Sequence, residues 1–447
     1  MQDEGEAQAL PPIRIGVAGL GNVGATLVRI LQKDGEELTR KLGRRLEVTA
    51  VSARSRSRDR GVDLAPYTWY DDPVALAKSP EIDLFVELMG GEDGPAAASV
   101  RAALEAGRPV VTANKALLAR HGVSLAKLAE ESGAQLGFEA AVAGGIPVIK
   151  TLREALGSAR IARVYGIMNG TCNYILTRMG REGLSFAECL KEAQALGYAE
   201  ADPTFDVEGF DTAHKLAILA SLSFGCEIAP DEIFVEGITG ITQVDIKVAA
   251  DLGYAVKLLG IAQRSSEGIE QRVHPTLVPK DSAIAGVDGV LNALVLETDH
   301  VHELMLAGPG AGGAPTASSV LSDILDIARG TRVPALGVPV AELTPYRQAP
   351  IKAHAGGYYI RLDLKDVPGA LAAIATRMGE RGISLESVIQ RADLRATQAE
   401  AEGTQTRTVV LITHETMEAA VRETLAQIAH DGFTVGEAQV IRIEAFS

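Results

Sequence analysis

Cysteine, tryptophan and long apolar runs are what this 447-residue sequence has least of. Its three cysteines, Cys172, Cys189 and Cys226, form no Cys-x-x-Cys pair, which argues against a zinc site and indicates a reducing compartment. No stretch of about 18 uncharged apolar residues occurs, so no membrane span is predicted. The first residues, MQDEGEAQALPP, are acidic and lack an apolar core, which argues against a signal peptide. We therefore expect a soluble, cytoplasmic protein.

Positive charge is also scarce, with 43 Lys and Arg against 58 Asp and Glu and a net charge of −15. This balance argues against a nucleic-acid partner and against binding to an anionic membrane surface. The 46 glycines and the single tryptophan favour an α/β protein with many tight turns. A chain of this length is expected to form two or three domains.

Strand and helix patterns alternate over the first 150 residues. Apolar runs that end in glycine or polar residues predict strands at 13–20, 46–53, 82–90 and 108–115. Segments with helical spacing separate these runs. Buried strands that alternate with helices predict βαβ units and therefore a parallel, doubly wound sheet.

Beyond residue 150 the pattern changes to that of an α+β domain. Helices are predicted at 172–182, 185–196, 211–224 and 247–263, and short strands at 161–170 and 270–280. Segment 308–330 is a glycine-rich loop that opens a helix, and we expect it to return the chain to the first domain. The proline-spaced segment 331–352 indicates a linker.

The last hundred residues have the order βαββαβ, which is a ferredoxin-like arrangement. Strands are predicted at 357–365, 383–390, 406–414 and 438–445, and helices at 368–381 and 415–431. We interpret the polar stretch 391–407 as a hairpin loop.

A glycine motif, GLGNVG, follows the first strand and opens the first helix. Gly19 allows a sharp turn, Gly21 lets the backbone approach a pyrophosphate, and Gly24 lets helix and strand pack closely. The helix N-terminus attracts the anion. A merely structural glycine turn is the alternative, but the βαβ context favours a Rossmann-type dinucleotide site. That site includes Asn22 and Val23.

The second strand ends in AVSARSRSRDR, without the carboxylate that NAD-binding proteins usually place there. Arginine can pair with a 2′-phosphate through two parallel hydrogen bonds. We therefore expect a preference for NADP over NAD, with Arg54 as the contact. Arg56 and Arg58 are equally well explained as a solvated basic loop.

The fourth strand ends in TANK, residues 112–115. Ligands of open α/β sheets bind beyond the carboxyl ends of the strands. We therefore expect Asn114 and Lys115 to point at cofactor or substrate. The alternative for Lys115 is a surface lysine, but a cation is unfavourable at the start of a helix.

An acidic stretch, LGYAEADPTFDVEGFDTAHKL (196–216), leads into an apolar helix. Its carboxylates are Glu200, Asp202, Asp206, Glu208 and Asp211. Complementing the helix dipole explains two or three of them. It does not explain Lys215, which lies one turn beyond Asp211 on the same helix face. A lysine beside apolar walls and another cation loses proton affinity, so it can exchange a proton, while the carboxylates suit a substrate ammonium group.

These motifs together resemble the homoserine dehydrogenase family. The resemblance rests on GLGNVG, TANK, FEAAVAGGIPVI (138–149), NGTCNYILT (169–177), the acidic stretch extended to residue 222, and GPGAGGAPTASSV (308–320). It spans about residues 13 to 350. The segment DLKDVPGALAAIATRMGERGISLESV (363–388) is similar to an ACT domain.

The resemblance implies reversible reduction of L-aspartate 4-semialdehyde to L-homoserine with NAD(P)H, on the route to threonine, methionine and isoleucine. By the matched motifs, Lys215 gives a proton to the aldehyde oxygen, and Lys115 assists at that oxygen. Glu200 and Asp211 would hold the amino-acid part of the substrate. Gly197 and Gly310 would contact the cofactor.

The family also binds a monovalent cation, usually sodium. Carried over to this sequence, the ligands would be the side chain or carbonyl of Glu139 and the carbonyls of Val142, Gly144 and Ile146. Hard cations take oxygen ligands, and a glycine-rich turn can aim several carbonyls inward.

A Pro-Gly before a helix, as in DVPGALAAIA, exposes backbone N–H groups that suit an amino-acid carboxylate. The ACT resemblance implies feedback binding, most plausibly of threonine, at an interface between two such domains. A dimerisation domain without ligand is the alternative. We expect a homodimer or homotetramer.

The expected organisation has three domains. They are a dinucleotide-binding domain at 1–150 completed by 308–345, a substrate-binding and dimerisation domain at 151–307, and an ACT regulatory domain at 353–447. Two other functions stay open: an oxidoreductase acting on a related amino semialdehyde, and a catalytically inactive amino-acid sensor.

Overall fold

The computed structural model describes residues 10–349, 355–391 and 406–444. The chain divides into two compact units. The first unit comprises residues up to 164 together with 214–231 and 292–346, and the second unit comprises 165–213, 232–291 and the residues from 347 onward. Within the described residues, no helix is both long and apolar enough to cross a bilayer.

The first unit contains a parallel sheet, as the alternating pattern predicts, and the sheet has six strands. Its strands are β1 (Ile13–Ala18), β2 (Leu46–Ser52), β3 (Thr68–Tyr70), β4 (Leu84–Glu87), β5 (Val110–Thr112) and β6 (Leu136–Gly137). They lie in the order β3-β2-β1-β4-β5-β6, and all neighbouring pairs are parallel. The strand order reverses between β1 and β4, which is where doubly wound sheets open a ligand crevice.

Helices cover this sheet. They are α1 (Asn22–Leu42), α2 (Pro73–Lys78), α3 (Pro95–Glu105), α4 (Lys115–Ser132), α5 (Ala140–Ala143) and α6 (Val148–Lys150). The buried face of α1 contributes Leu27, Val28 and Leu31 to one apolar core with the strands β1 and β4. Segment 317–324 adds Ala317, Val320 and Ile324 to the same core, so the chain returns to this sheet near residue 313.

The middle of the chain supplies helices and a second set of strands. They are β7 (Ile161–Ile167), α7 (Gly170–Glu182), α8 (Phe186–Ala195), α9 (Thr204–Val207), α10 (Phe210–Phe224), β8 (Phe234–Val235), α11 (Gln243–Asp251), β9 (Tyr254–Arg264), β10 (Ile269–Pro279), β11 (Leu291–Thr298), β12 (His302–Pro309) and α12 (Gly313–Arg329).

The predicted helix at 247–263 is wrong over most of its length. Helix α11 ends at Asp251, and Gly253 adopts a left-handed conformation with φ +87° that stops it. Residues 254–264 form β9, which pairs antiparallel with β10 along its whole length. Its apolar run is buried on both faces, and such a run cannot be distinguished from a buried helix by periodicity alone.

The C-terminal segment, residues 355–444, has the predicted βαββαβ order. Its elements are β13 (Ala355–Lys365), α13 (Ala370–Glu380), β14 (Leu385–Gln390), β15 (Thr406–Thr413), β16 (Thr416–Met417), α14 (Glu418–His430) and β17 (Thr434–Ile443). The main strands are antiparallel in the order β17-β13-β15-β14, and β17 continues the sheet by pairing parallel with β10. Most of the predicted hairpin loop at 391–407 lies outside the described residues.

Two buried arginines join the C-terminal segment to the rest of the second unit. Arg442 of β17 donates from Nε to Glu418 Oε2 (2.8 Å) and from Nη1 to Glu236 Oε2 (2.7 Å). Arg272 of β10 pairs with Glu270 and with Glu444. Both side chains have an exposed fraction of 1% or less, so their charges depend on these carboxylates.

Removing one partner of such a pair leaves a buried charge uncompensated. We expect Arg442→Ala to lower the free energy of unfolding by about 3–5 kcal/mol. The exposed pair Arg391–Asp251 is the matched control, and Arg391→Ala should change the free energy of unfolding by less than about 1 kcal/mol. Denaturant unfolding of the three proteins tests this. A similar small change in both variants would contradict it.

The buried pair Arg442–Glu418 predicts that stability depends on pH. Burial alone would raise the pKa of Glu418, but hydrogen bonds and charges from Arg442 and Arg422 outweigh it and lower this pKa below its ordinary value of 4.5. The stabilisation is therefore complete above about pH 4.5 and is lost as the pH falls below it. Arg442→Ala should lose that part of the acid dependence.

Candidate active site

The glycine turn of the first unit is closely packed at two of its three glycines. At Gly19, with φ +96°, an added Cβ would lie 2.4 Å from the carbonyl carbon and oxygen of Leu88. At Gly24 it would lie 1.9 Å from the carbonyl oxygen of Gly19. At Gly21, the residue that precedes α1, an added Cβ would meet no atom within 4 Å. The turn and its helix therefore require glycine for packing at two positions, while Gly21 leaves room for a ligand beside the helix N-terminus.

A cavity of about 300 Å³ opens beside this turn, within the first unit. Its wall brings together residues from segments far apart in the sequence. Those predicted to be functional are Val23, Asn114, Lys115, Val142, Gly144, Lys215 and Gly310. The volume and the position at the carboxyl ends of β4 and β5 are typical of a small-molecule site in an open α/β sheet.

Two lysines of the cavity wall, Lys115 and Lys215, come from different helices. Lys115 is the first residue of α4, which begins shortly after β5 ends at Thr112. Lys215 lies in α10 and has an exposed fraction of only 8%. Two lysines that line one cavity favour an oxygen that becomes negative during a reaction.

Glu87, at the end of β4, shapes the adjoining wall and was not singled out from the sequence. Its Oε1 accepts from the backbone N–H groups of Met89 (2.6 Å) and Gly90 (3.1 Å), and its Oε2 accepts from Thr112 Oγ1 (2.6 Å). The side chain is fully buried. The only sequence signal for this role of Glu87 is a carboxylate at the end of the strand IDLFVE. The sequence does not reveal which backbone amides that carboxylate binds.

Asn114 also supports this wall. Its Oδ1 accepts from the N–H of Leu117 (3.1 Å) and caps α4, while its Nδ2 donates to the carbonyl of Gly91 (2.7 Å). The side chain has an exposed fraction of 6%. Its amide therefore fixes the loop after β4 against the start of α4.

The basic loop after β2 is held against the glycine turn by Arg60, which sequence analysis missed. Arg60 Nε donates to the carbonyl of Leu20 (3.1 Å), and its Nη1 donates to that of Arg58 (2.7 Å). Its guanidinium also lies 5.8 Å from the ring centroid of Trp69. Arg54 is exposed just beyond the end of β2. Arg60 thus keeps this loop beside the turn that precedes α1.

The predicted cation segment, 139–146, lies in the first unit beside the same cavity. Glu139 is 1% exposed, and its Oε1 and Oε2 accept from the N–H groups of Ile149 (2.9 Å) and Lys150 (2.8 Å). Burial raises the pKa of Glu139 to about 7. These amides hold both oxygens of the buried carboxylate in place.

Gly144 makes the sharp turn of this segment with φ +56°. An added Cβ there would lie 2.4 Å from the carbonyl oxygen of Gly310, so only glycine fits. Within the described part of the chain, no group of three or more His, Cys, Asp or Glu side chains is arranged to hold a metal ion. A cation at this turn would therefore depend on backbone carbonyls, a donor set suited to a hard ion.

In the second unit, the acidic stretch forms an ordered cluster around the start of α7. Asn169 Nδ2 donates to Asp206 Oδ1 (2.8 Å) and to Asp211 Oδ2 (3.0 Å). Asp211 is only 4% exposed. Glu200 is exposed in the loop between α8 and α9, and its carbonyl accepts from Gln194 Nε2 (3.0 Å). Gly197 precedes it with φ +75°.

A segment of the second unit, residues 234–245, connects this acidic stretch to the C-terminal segment; we name it the linking segment. On one side the N–H of Ile238 donates to the carbonyl of Val207 (2.8 Å), and Thr239 Oγ1 donates to Glu208 Oε1 (3.0 Å). An added Cβ at Gly237 would lie 2.5 Å from the Val207 carbonyl oxygen. The linking segment therefore packs directly on the backbone that leads into α10.

On its other side the linking segment contacts β13, α14 and β17. Glu236 accepts from Arg422 Nη2 (2.9 Å) and Arg442 Nη1 (2.7 Å). Asp245 Oδ1 accepts from the hydroxyl of Tyr359 (2.9 Å) and from Arg361 Nε (2.8 Å). These partners all belong to the C-terminal segment, so charged hydrogen bonds hold it to the linking segment at both ends.

Comparison with protein-family models gives three matches. The model described as "Homoserine dehydrogenase, NAD binding domain" matches residues 19–139, and "Homoserine dehydrogenase" matches residues 147–325. The model described as "ACT domain" matches residues 358–430.

Individual proteins match over nearly the whole chain. A homoserine dehydrogenase of Pseudomonas aeruginosa is 44% identical over 441 residues, which cover 97% of this chain and 99% of the relative. The crystal structure of a homoserine dehydrogenase from Thiobacillus denitrificans is 40% identical with a TM-score of 0.89, covering 97% of this chain and 98% of that one. A hyperthermophilic archaeal homoserine dehydrogenase in complex with NADPH is 28% identical with a TM-score of 0.63, covering 72% of this chain and 99% of that one.

These matches agree with a parallel nucleotide-binding sheet, a cavity that contains two lysines, and a C-terminal βαββαβ segment. They also support a pyridine-nucleotide cofactor. The chain therefore belongs to the homoserine dehydrogenase family of oxidoreductases that act on a CH–OH group, and it carries a C-terminal ACT domain.

Proposed function

We propose that this protein reduces L-aspartate 4-semialdehyde to L-homoserine, reversibly and preferentially with NADPH, on the route to threonine, methionine and isoleucine. The observation that carries the proposal is the joint presence of Lys115 and Lys215 in the wall of one cavity beside the glycine turn. A related amino semialdehyde as substrate would use the same lysines, so the choice between substrates rests on family membership.

The two lysines have different tasks in this mechanism. The bound nicotinamide would supply the hydride to the aldehyde carbon. Lys215 gives one proton to the aldehyde oxygen and regains it from solvent afterwards. Lys115 keeps its charge and stabilises the same oxygen while it becomes negative. In the reverse direction Lys215 accepts the hydroxyl proton of homoserine.

The substrate is held by its ammonium group. Asp211 and Lys215 are four residues apart on α10, so their side chains leave the same face of the helix, about 5–6 Å apart at Cβ. We infer that Asp211, with Glu200, binds the ammonium group while Lys215 reaches the other end of the same short molecule.

NADP is the cofactor we favour. Arg54 is exposed beyond β2, where NAD-binding proteins usually present a carboxylate, and Arg60 holds the loop beside the glycine turn. The guanidinium of Arg54 would pair with the 2′-phosphate. Gly197 and Gly310 are the further cofactor contacts that we propose. We also propose sodium as the cation, with the side chain or carbonyl of Glu139 and the carbonyls of Val142, Gly144 and Ile146 as ligands.

We further propose that threonine is the effector and that a homodimer or homotetramer is the working assembly. Threonine would bind near Asp366–Gly369, where the chain enters α13. The linking segment supports this regulatory role. It contacts the C-terminal segment through Glu236 and Asp245, and it contacts the backbone of Val207 that leads to Asp211. A shift of the ACT domain would therefore reach the substrate carboxylates through packed backbone.

Lys215→Ala removes the proposed proton donor. We expect kcat to fall by at least about 100-fold, because general acid catalysis contributes about 100- to 10,000-fold, while NADPH affinity stays unchanged. Steady-state kinetics with aspartate semialdehyde and NADPH titrations measure both. Lys191→Ala, at an exposed position of α8, is the control and should behave as wild type. Full turnover of Lys215→Ala would reject the mechanism.

Arg54→Ala removes the proposed 2′-phosphate contact. The KM for NADPH should rise by about tenfold, as expected for the loss of a charged hydrogen bond, and the KM for NADH should not change. Arg45→Ala, which removes a surface pair with Glu47, serves as the control. Equal effects on both nucleotides would show that Arg54 does not read the phosphate.

Glu236→Gln keeps the shape of the linking segment but weakens its contacts with Arg422 and Arg442. Without threonine, kcat and KM should stay within about twofold of wild type. The threonine concentration for half-inhibition should rise about fivefold or more, which corresponds to a change of about 1 kcal/mol in the coupling free energy. The affinity for threonine, measured by calorimetry, should change less. Glu423→Gln, which affects only a surface pair with Arg381, is the control. Unchanged inhibition in Glu236→Gln would exclude this route, and a wild type that does not respond to threonine would exclude the effector.

A further inference from the structure

Asn169 uses its whole side chain at the start of α7. Its Oδ1 accepts from the N–H of Cys172 (2.8 Å) and caps the helix. Its Nδ2 donates to two carboxylates, Asp206 Oδ1 at 2.8 Å and Asp211 Oδ2 at 3.0 Å. The side chain is only 5% exposed. A residue needed only as a helix cap would not require the two amide hydrogens, since serine or aspartate caps equally well.

The rest of the first turn of α7 also contacts Asp206. Thr171 Oγ1 lies 3.4 Å from Asp206 Oδ2 and donates to the carbonyl of Tyr198 at 2.7 Å. Cys172 Sγ donates to the backbone carbonyl of Asp206 (3.2 Å). One helix turn therefore holds both the backbone and the side chain of this residue, and Asn169 connects it to Asp211.

Helix α7 is itself held in place by contacts with the segment 287–291. Asn173 Nδ2 donates to the carbonyls of Val287 (3.0 Å) and Leu291 (3.1 Å). The buried Lys257 donates to the same Val287 carbonyl (2.6 Å) and to Asp288 Oδ1 (3.0 Å). An added Cβ at Gly170 would lie 2.8 Å from the Val290 carbonyl oxygen. The helix start that carries Asn169 is therefore a rigid support.

Two carboxylates that face each other repel, and each can rotate about its last torsion, which is broad and roughly two-fold. A shared N–H donor pair counters both effects, because it binds one oxygen of each carboxylate and so limits its rotation. We propose that Asn169 is a positioning residue that fixes Asp211 in the orientation that receives the ammonium group of the substrate. This rests on the substrate proposed above.

Variants can separate positioning from capping. Asn169→Ser keeps a capping oxygen and loses the amide N–H groups. Asn169→Ala loses both. We expect the KM for homoserine to rise about tenfold or more in both variants, with little change in the KM for NADP, because only the amide N–H groups orient Asp211. The melting temperature should fall further in Asn169→Ala, which also loses the cap, than in Asn169→Ser.

Asn169→Asp adds a readout that a structural role would not produce. It keeps the cap but places a third carboxylate against Asp206 and Asp211. Its KM for homoserine should therefore rise at least as far as that of Asn169→Ser, although the capping oxygen is kept.

Ser185→Ala is the matched control, because Ser185 caps α8 in the same unit and has no contact with the acidic cluster described above. It should lose stability as Asn169→Ala does, with wild-type KM values. A wild-type KM in Asn169→Ser, or a rise in KM that Ser185→Ala reproduces, would overturn the positioning role while the proposed reaction stands. A wild type without turnover on homoserine and on the semialdehyde would overturn both.

Discussion

One turn of a helix separates the two groups on which the proposed chemistry depends. Asp211 and Lys215 both belong to α10, and the helical repeat fixes their separation and direction. Both are largely buried, so neither side chain is free to move into solvent. The proposed roles of the two residues, ammonium binding by Asp211 and proton transfer by Lys215, depend on this helical spacing. Orientation of this kind supplies much of the advantage that an enzyme has over solution.

Buried hydrogen bonds hold in place the residues that surround Asp211 and those that line the cavity with Lys215. Asn169 fixes the carboxylates at one end. At the other end Lys215 lies in the cavity wall together with Lys115, and Glu87 and Asn114 hold the neighbouring loop through buried hydrogen bonds. Buried polar groups are costly unless every partner is in place, so such networks also fix a single geometry. Hydrogen bonds among these buried groups thus restrict the motion of the residues that are proposed to contact the substrate.

The ACT domain is coupled to this arrangement by ordinary packing. Strand β17 pairs with β10. Arg442 of β17 donates hydrogen bonds to Glu418 of α14 and to Glu236 of the linking segment. The linking segment then hydrogen-bonds the backbone at Val207. Every step in this series is a direct contact between described residues of the second unit. A continuous series of contacts therefore connects the ACT domain to the acidic stretch.

The sequence predicts the parallel sheet, the glycine turn and the βαββαβ order because each depends on local pattern. The helix predicted at 247–263 is wrong because a strand buried on both faces has no period of two, and only its pairing with β10 identifies it. The supporting roles of Glu87, Arg60 and Asn169 were not predicted, since each depends on partners brought close by folding rather than by sequence spacing. The candidate lysines were predicted, but their presence in one cavity depends on segments about a hundred residues apart.

The most direct test of the central claim is a crystal structure of the enzyme with a nicotinamide cofactor and homoserine or an unreactive analogue. The account predicts that Lys215 Nζ lies within about 3 Å of the reacting oxygen while a carboxylate oxygen of Asp211 binds the ammonium group. A complex in which Lys215 points away from that oxygen, or in which the ammonium group binds elsewhere, would contradict it.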